Sequence, residues 1–277
     1  MEIKDLSVII TTFKSENIIK NCLESLPKNI RILIIENSNN YDFKEKIESK
    51  YPNVECYLTG DNKGYSAANN IGLSKVKTKY ALVLNPDTVV EKNTIKNFLK
   101  TADSYSDFWL MGPINNQSGQ NNFKGQEVIE VDNLKGFAIF FNMKKFNNDF
   151  FDENYFLYFE EIDLCRKVKK NKGIILLNYK IIVNHSGGLS VNQNFREELE
   201  KNRNWHWMWS SFYFNKKHKG FIIALIIIFP KLFSSLLKTI FYQLILDKKK
   251  RDIYFCRLSG IINSILGKKS WYRPTLD

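Results

Sequence analysis

The chain has 277 residues, 44% of them apolar and 25% charged, which suits one α/β domain with an appendage and excludes wholesale disorder. The net charge of +12 is uneven: residues 1–200 hold 26 Lys and Arg against 26 Asp and Glu, so the whole excess lies in residues 201–277. Four widely spaced cysteines (Cys22, Cys56, Cys165, Cys256) without a CxxC exclude a disulfide framework and a structural zinc site.

The first residues, MEIKDLSVII, lack the basic and then long apolar plan of a signal peptide. Leu6–Thr12 reads instead as a first strand buried on both faces. Ser15–Leu26 predicts a helix, with Ser15 as its cap and Ile18, Ile19, Cys22, Leu23 and Leu26 at helical spacing. Ile30–Ile35 is a second strand, ending in Glu36-Asn37-Ser38-Asn39-Asn40, and Val54–Leu58 a short third. After the Gly60–Gly64 loop, Ser66–Lys75 predicts a helix, Tyr80–Leu84 a fourth strand ending in Asn85-Pro86-Asp87, and Thr94–Ala102 a helix. Residues 105–150 carry little pattern apart from a strand at Lys135–Asn142. Phe150–Lys170 begins aromatic and acidic and turns helical. Ile174–Leu177 and Ile181–Val183 read as two short strands, followed by His185-Ser186-Gly187-Gly188.

Strands alternating with helices at this spacing predict a doubly wound, mostly parallel sheet. In such sheets ligands bind beyond the carboxyl ends of the strands. The polar cluster after the first strand, Glu36-Asn37 and Asn85-Pro86-Asp87 are therefore expected around one cleft. A carboxylate at Asp87 suits a hard cation that neutralises a diphosphate, or simply an Asx turn. Glu36 suits ribose hydroxyls or a solvated loop. No G-x-G-x-x-G follows the first strand, which disfavours a dinucleotide fold. Asp61–Gly72 combines a glycine turn with small residues opening a helix, a setting that tolerates close approach of an anion. Glu160 and Glu161, set behind Tyr155-Phe156-Leu157-Tyr158-Phe159, are expected to have carboxyls raised by desolvation and like charge, which suits a general base. Asp163 and Arg166 follow on the same helix.

Taken together these segments resemble family-2 glycosyltransferases of the GT-A fold, especially bacterial rhamnosyltransferases of O-antigen and polysaccharide assembly. The resemblance is carried in order by SVIITTF (7–13), IENS (35–38), NKGYSAANNIG (62–72), LNPDT (84–88), GFAIFF (136–141), FDENYFLYFEEIDLCRKV (151–168) and VNHSGG (183–188). It implies a GT-A catalytic domain over residues 1–200. It implies that Thr11 and Glu36 hold base and ribose, that Asn62, Gly64 and Asn69 shape the donor pocket with Asn85, and that Asp87 with His185 holds Mg²⁺ or Mn²⁺ on the diphosphate. Glu161, beside Glu160, takes the place of the catalytic base, with Asp163 and Arg166 towards the acceptor. The family's Asp-x-Asp is here Asn85-Pro86-Asp87, and Glu36 and Glu161 stand where Asp is usual. The implied reaction is inverting transfer from a dTDP-sugar or UDP-sugar, foremost dTDP-rhamnose, to a lipid-diphosphate-linked saccharide. Another hexose or galactofuranose donor, or a non-catalytic nucleotide-sugar-binding scaffold, are the alternatives.

Residues 201–277 read as a basic, apolar, helical, membrane-associating region. Phe221–Leu246 is long enough to span a bilayer, but Lys231, Ser234, Ser235, Lys238, Tyr242 and Gln243 fall on one helical stripe. A lysine in mid-span costs roughly 2.5–3.5 kcal/mol. This favours a helix lying in the interface over one that spans, with Lys248-Lys249-Lys250-Arg251 reaching anionic lipid. Asn204–Phe214, rich in aromatic residues, suits a headgroup zone or a domain core. The expectation is a peripheral protein of the cytoplasmic face of the plasma membrane, free to form a homo-oligomer. Nucleic acid is not an expected partner, because the tail is apolar and helical.

Overall fold

The computed structural model describes residues 2–115, 126–185 and 196–274. The chain divides into two compact units, residues 1–152 with 161–192 and residues 153–160 with 193–277.

The first unit carries the strands β1 (Leu6–Thr12), β2 (Arg31–Glu36), β3 (Val54–Leu58), β4 (Tyr80–Leu84), β5 (Thr88–Val90), β6 (Phe108–Ile114), β7 (Val128–Glu130), β8 (Ala138–Asn142) and β9 (Ile174–His185). Its helices are α1 (Ile19–Glu24), α2 (Tyr41–Lys50), α3 (Gly64–Ser74), α4 (Thr94–Ser104) and all but the first residue of α5 (Glu160–Lys170). The sheet order is β3-β2-β1-β4-β8-β6-β9-β5, with β7 also paired to β9. The first four strands run parallel. β8 then enters antiparallel to both β4 and β6, and β9 runs parallel to β6.

The side-chain period of two explains why these strands are apolar throughout. Val8 and Ile10 of β1 join Ile32 and Ile34 of β2 on one face, while Ile9, Leu33 and Ile35 join Ala81 and Val83 on the other. α3 lies close over the second face: a Cβ at Gly72 would stand 2.5 Å from Ile9 Cγ2.

Three local expectations are corrected. α1 starts at Ile19 and not at Ser15, because the Ser15 hydroxyl bonds the backbone of Phe13 within a tight turn and does not cap the helix. The two short strands around Asn178-Tyr179 are one continuous β9, held there by β7 and by Asn178 donating to Thr101 Oγ1 at 2.8 Å. The unpatterned 105–150 region contains β6, hidden by Gly112-Pro113, where the pairing to β9 shifts register. A proline is tolerated at such an irregularity because no ladder donor is needed there.

The second unit is built from α6 (Arg196–Lys219), α7 (Phe221–Leu244) and α8 (Lys248–Ile265), packed with residues 153–160. Trp205, Met208, Trp209 and Phe212 of α6 are buried together with Ala224, Ile228, Cys256 and Ile261. The aromatic stretch of α6 is therefore mainly core and not a headgroup belt, with only Trp207 of its tryptophans well exposed. His206 is also buried: its Nε2 lies 2.9 Å from Tyr272 O, its ring stacks on Phe156 at 4.4 Å, and burial pushes its pKa down to about 3, so it is neutral.

α6 and α8 meet through Gly260, where an added Cβ would lie 2.3 Å from the Trp205 carbonyl oxygen. No side chain can give way at that contact, because the obstacle is backbone. Gly260→Ala is expected to destabilise the second unit by about 3 kcal/mol through forced helix separation. Ile262→Ala, at an exposed site on the same helix, is the control. Equal denaturation midpoints for the two variants would refute the close packing.

Candidate active site

The carboxyl ends of β1, β2 and β4 carry the polar residues picked out from the sequence. Thr11 Oγ1 donates to Asn69 Oδ1 at 3.0 Å, and Asn69 Nδ2 donates to Tyr65 O at 2.9 Å. Asn69 is fully buried, so this pairing accounts for a poor helix former inside α3. Asn37, just past β2, organises the glycine loop. Its Nδ2 donates to Asn62 Oδ1 (3.0 Å) and Gly64 O (3.3 Å), and its Oδ1 accepts from Lys63 N and Thr59 Oγ1 (both 3.0 Å). Gly64 has φ +85°, which only glycine adopts without strain. The helix N-terminus of α3 is thereby fixed beside Asn62.

Glu36 is buried, and its carboxylate serves its own turn: Oε1 accepts from Ser38 N at 3.0 Å and from Ser38 Oγ, and Oε2 from Asn40 N at 2.7 Å. A ribose at this position has only the remaining acceptor capacity of Glu36.

Past β4, Asn85 N donates to Phe137 O at 2.9 Å, and Asn85 O accepts from Thr88 Oγ1 at 2.7 Å. This turn sends β5 antiparallel to β9, pairing Thr88 with His185. Asp87 and His185 are brought together by that register: Asp87 Oδ1 lies 3.2 Å from His185 Nε2, and Asp87 is buried. The Phe137 ring lies parallel to the imidazole at 5.0 Å and 9°, and Asn115 brackets the His185 backbone with two bonds of 3.4 Å. Ser186, Gly187 and Gly188 lie outside the described residues.

Glu161 begins the part of α5 that belongs to the first unit. Its side chain packs beside Gly136, where an added Cβ would lie 3.6 Å from both Glu161 Cβ and Cγ. Oε2 is buried without a hydrogen-bond partner. Burial pushes its pKa up, opposed by the backbone N–H groups of Glu161 and Ile162 and by the charge of Lys135. Desolvation is the leading cause, as the aromatic-acidic sequence implied. Asp163 is buried on α5 and Arg166 exposed. Glu160 is buried and falls in the second unit. It follows Tyr158 (φ +70°) and Phe159 (φ +71°), two aromatic residues in left-handed conformation that cost of order 1–2 kcal/mol each. Their rings pack at 5.2 and 5.3 Å from that of Trp207.

Sequence reasoning missed Tyr65, Gly136 and Phe137 as site residues. Tyr65 OH donates to Gly136 O at 2.6 Å, so the Gly136-Phe137 step touches α3, the Asn85 turn, His185 and Glu161. The available signal was a Gly-aromatic pair immediately before the apolar run of β8.

No group of three or more His, Cys, Asp and Glu side chains among the described residues can hold a metal by itself. A carboxylate and an imidazole 3.2 Å apart do fit a divalent cation completed by substrate phosphate oxygens, the usual arrangement for Mg²⁺, and an imidazole tilts the donor set towards a transition ion.

The fold and this cleft define a class of GT-A-like proteins. A family model described as "Glycosyl transferase family 2" matches residues 7–165. The chain belongs to that family. The low-salt glycan biosynthesis hexosyltransferase Agl10 of Haloferax volcanii is 25% identical over 193 residues, 60% of this chain and 62% of that protein. The rhamnosyltransferase WbbL of Escherichia coli is 26% identical over 202 residues, 58% of this chain and 75% of that protein. The chain thus spans less than two thirds of the length of the first relative. Among solved structures, the mannosyltransferase PcManGT from Pyrobaculum calidifontis in complex with GDP-Man and Mn²⁺ superimposes with a TM-score of 0.59 at 10% identity, covering 96% of this chain and 88% of that one. That likeness establishes the GT-A fold.

Proposed function

We propose that the chain is an inverting glycosyltransferase that moves a sugar, foremost rhamnose from dTDP-rhamnose, onto a lipid-diphosphate-linked saccharide in cell-surface polysaccharide synthesis. The observation that carries the reading is the Gly136-Phe137 step. It joins a buried carboxylate with a raised pKa, Glu161, to the Asp87–His185 pair across one sheet.

In this reading Thr11, Asn69 and the Asn62–Gly64 loop hold the nucleotide, with Glu36 and Asn85 bordering it. Asp87 and His185 are the residues that hold Mn²⁺ or Mg²⁺, which when bound offsets charge on the leaving nucleoside diphosphate. Glu161 takes the proton from the acceptor hydroxyl as that oxygen attacks the anomeric carbon from the face opposite the diphosphate, which inverts configuration. Burial makes Glu161 a stronger base than an exposed carboxylate. Asp163 and Arg166 border the acceptor side. Glu160, its neighbour in sequence, is the second candidate for the base. The second unit attaches the enzyme to the cytoplasmic face of the plasma membrane, where a lipid-linked acceptor resides.

The test is turnover in detergent with Mn²⁺ or Mg²⁺, using a panel of dTDP- and UDP-sugars against a lipid-diphosphate-saccharide. One donor is expected to turn over, with the inverted anomer as product. Binding of a donor without turnover of any would replace catalysis with a scaffold role.

A further inference from the structure

α7 is amphipathic in an unusual sense. Ala224, Ile228 and Ser235 are its buried residues, and its polar stripe borders α6 and α8, with Lys231 and Lys238 themselves exposed. Lys231 Nζ lies 3.4 Å from Ser211 Oγ of α6, Lys238 Nζ 3.4 Å from Tyr254 OH of α8, and the Tyr242 ring stacks on Tyr254 at 5.5 Å. The opposite face is apolar and exposed: Ile222, Ile226, Phe229, Phe233, Ile240 and Leu244 lie along it, from 50% to 75% accessible. At 1.5 Å per residue this face runs for about 36 Å. An exposed apolar surface of this extent marks an interaction face.

The polar stripe also gathers charge. Lys238 Nζ stands 4.9 Å from the Tyr254 ring centroid, and the Arg257 guanidinium 5.5 Å from the same ring. The Lys231 ammonium feels burial first and then the Arg257 charge, both lowering its pKa. Arg257 Nε is buried without a hydrogen-bond partner. None of these three cations has a carboxylate within ion-pair distance among the described residues. The neighbouring basic run differs: Lys249, Lys250 and Arg251 pair with Glu200, Asp247 and Asp252. Like charges gathered without an internal anion raise the local positive potential and attract an external anion.

We infer that Lys231, Lys238 and Arg257, with Tyr254 and Ser211, form a site for the phosphate of an anionic phospholipid whose acyl chains lie against the exposed face of α7. Three donors on two helices match the acceptors of a phosphodiester, and the adjoining apolar face supplies the surface for hydrocarbon. The inference rests on the reading of the second unit as membrane-attached, and it changes the lipid contact from the Lys248–Arg251 run to the seam between α7 and α8.

The test is flotation of the full chain with vesicles of phosphatidylcholine alone, with 30 mol% phosphatidylglycerol, or with a few mol% polyprenyl diphosphate. Phosphatidylglycerol is expected to promote binding. Lys238→Gln, at an exposed site, should weaken it about 5-fold, and Lys231→Gln/Lys238→Gln/Arg257→Gln about 100-fold, since each basic residue near an anionic surface contributes about 1 kcal/mol. Arg257→Lys should retain most binding. Lys268→Gln/Lys269→Gln, a loss of two charges elsewhere in the unit against three in the cluster, should retain most of it too. Circular dichroism melting separates misfolding from lost contact. Equal losses in the cluster and Lys268/Lys269 variants would overturn the site while leaving membrane attachment standing. Cluster-dependent binding to polyprenyl diphosphate but not to phosphatidylglycerol would overturn the headgroup assignment. Failure of the wild-type chain to float with any vesicle, or a dimer that persists with vesicles present, would overturn membrane attachment itself. None of these outcomes bears on sugar transfer measured in detergent.

Discussion

Glu161→Gln is expected to lower sugar transfer by 10²–10⁴-fold while making the protein more stable at neutral pH. The catalytic loss is the usual contribution of a positioned general base. The gain in stability follows from linkage. Burial raises the Glu161 pKa above its ordinary value of 4.5, so the fold favours the neutral acid. Between the unfolded and folded values the native state binds the extra proton, and stability falls as pH rises through that window. Above it, wild type carries the full penalty of a buried carboxylate, which Gln lacks. Melting curves of the two proteins should therefore coincide near pH 4 and diverge at pH 7–8 in favour of the variant. The same shift should move the acidic limb of kcat/KM above the range of an exposed carboxylate. Glu160→Gln is expected to cost less than 10-fold in turnover. If Glu161→Gln kept more than a tenth of wild-type activity, or if the loss fell on Glu160→Gln instead, Glu161 would not be the base.

Asp87→Asn should cut turnover by about a hundredfold or more and remove most of the Mn²⁺ affinity measured with nucleoside diphosphate present. A divalent cation contributes several kcal/mol to a developing phosphate charge, and each 1.36 kcal/mol is a factor of ten. The amide keeps the shape of the turn, in which Asn85 O is bonded by Thr88, so the fold should survive. Calorimetry of Mn²⁺ binding reads the role without needing turnover. His185→Ala should weaken the same binding about 10–100-fold, in the range seen when groups around a metal are removed. Unchanged Mn²⁺ affinity in both variants would place the cation elsewhere and leave the 3.2 Å pair as a structural contact.

Much of the first unit was legible because β1, β2 and β4 are continuous apolar runs that only a doubly covered sheet accommodates. The polar endings of β2 and β4 follow from the same logic, which put Glu36 and Asp87 at one edge of the sheet, whereas Thr11, Asn69 and His185 were candidates through the resemblance to the family. The Gly136-Phe137 step could not, since its importance comes from partners at positions 65, 85, 161 and 185, far apart in the chain. Glu36 shows the converse: its place was legible, but not that the turn residues Ser38 and Asn40 occupy it. On α7, periodicity identified which residues share a face. It could not say what the polar stripe meets, because Ser211 and Tyr254 lie on other helices.

The interleaving of the two units bears on how the protein is made. Residues 153–160 belong with the helical unit, where Phe156 stacks on His206 and Leu157 O accepts from Ser210 Oγ at 2.9 Å. A ribosome delivers this octapeptide some fifty residues before those partners. The strained Tyr158-Phe159 step therefore lacks its ring contacts with Trp207 until α6 has been synthesised. A nascent chain released early would have the strands of its sheet while residues 153–160 still lacked their partners, so the second unit should resist proteolysis only once its helices are complete.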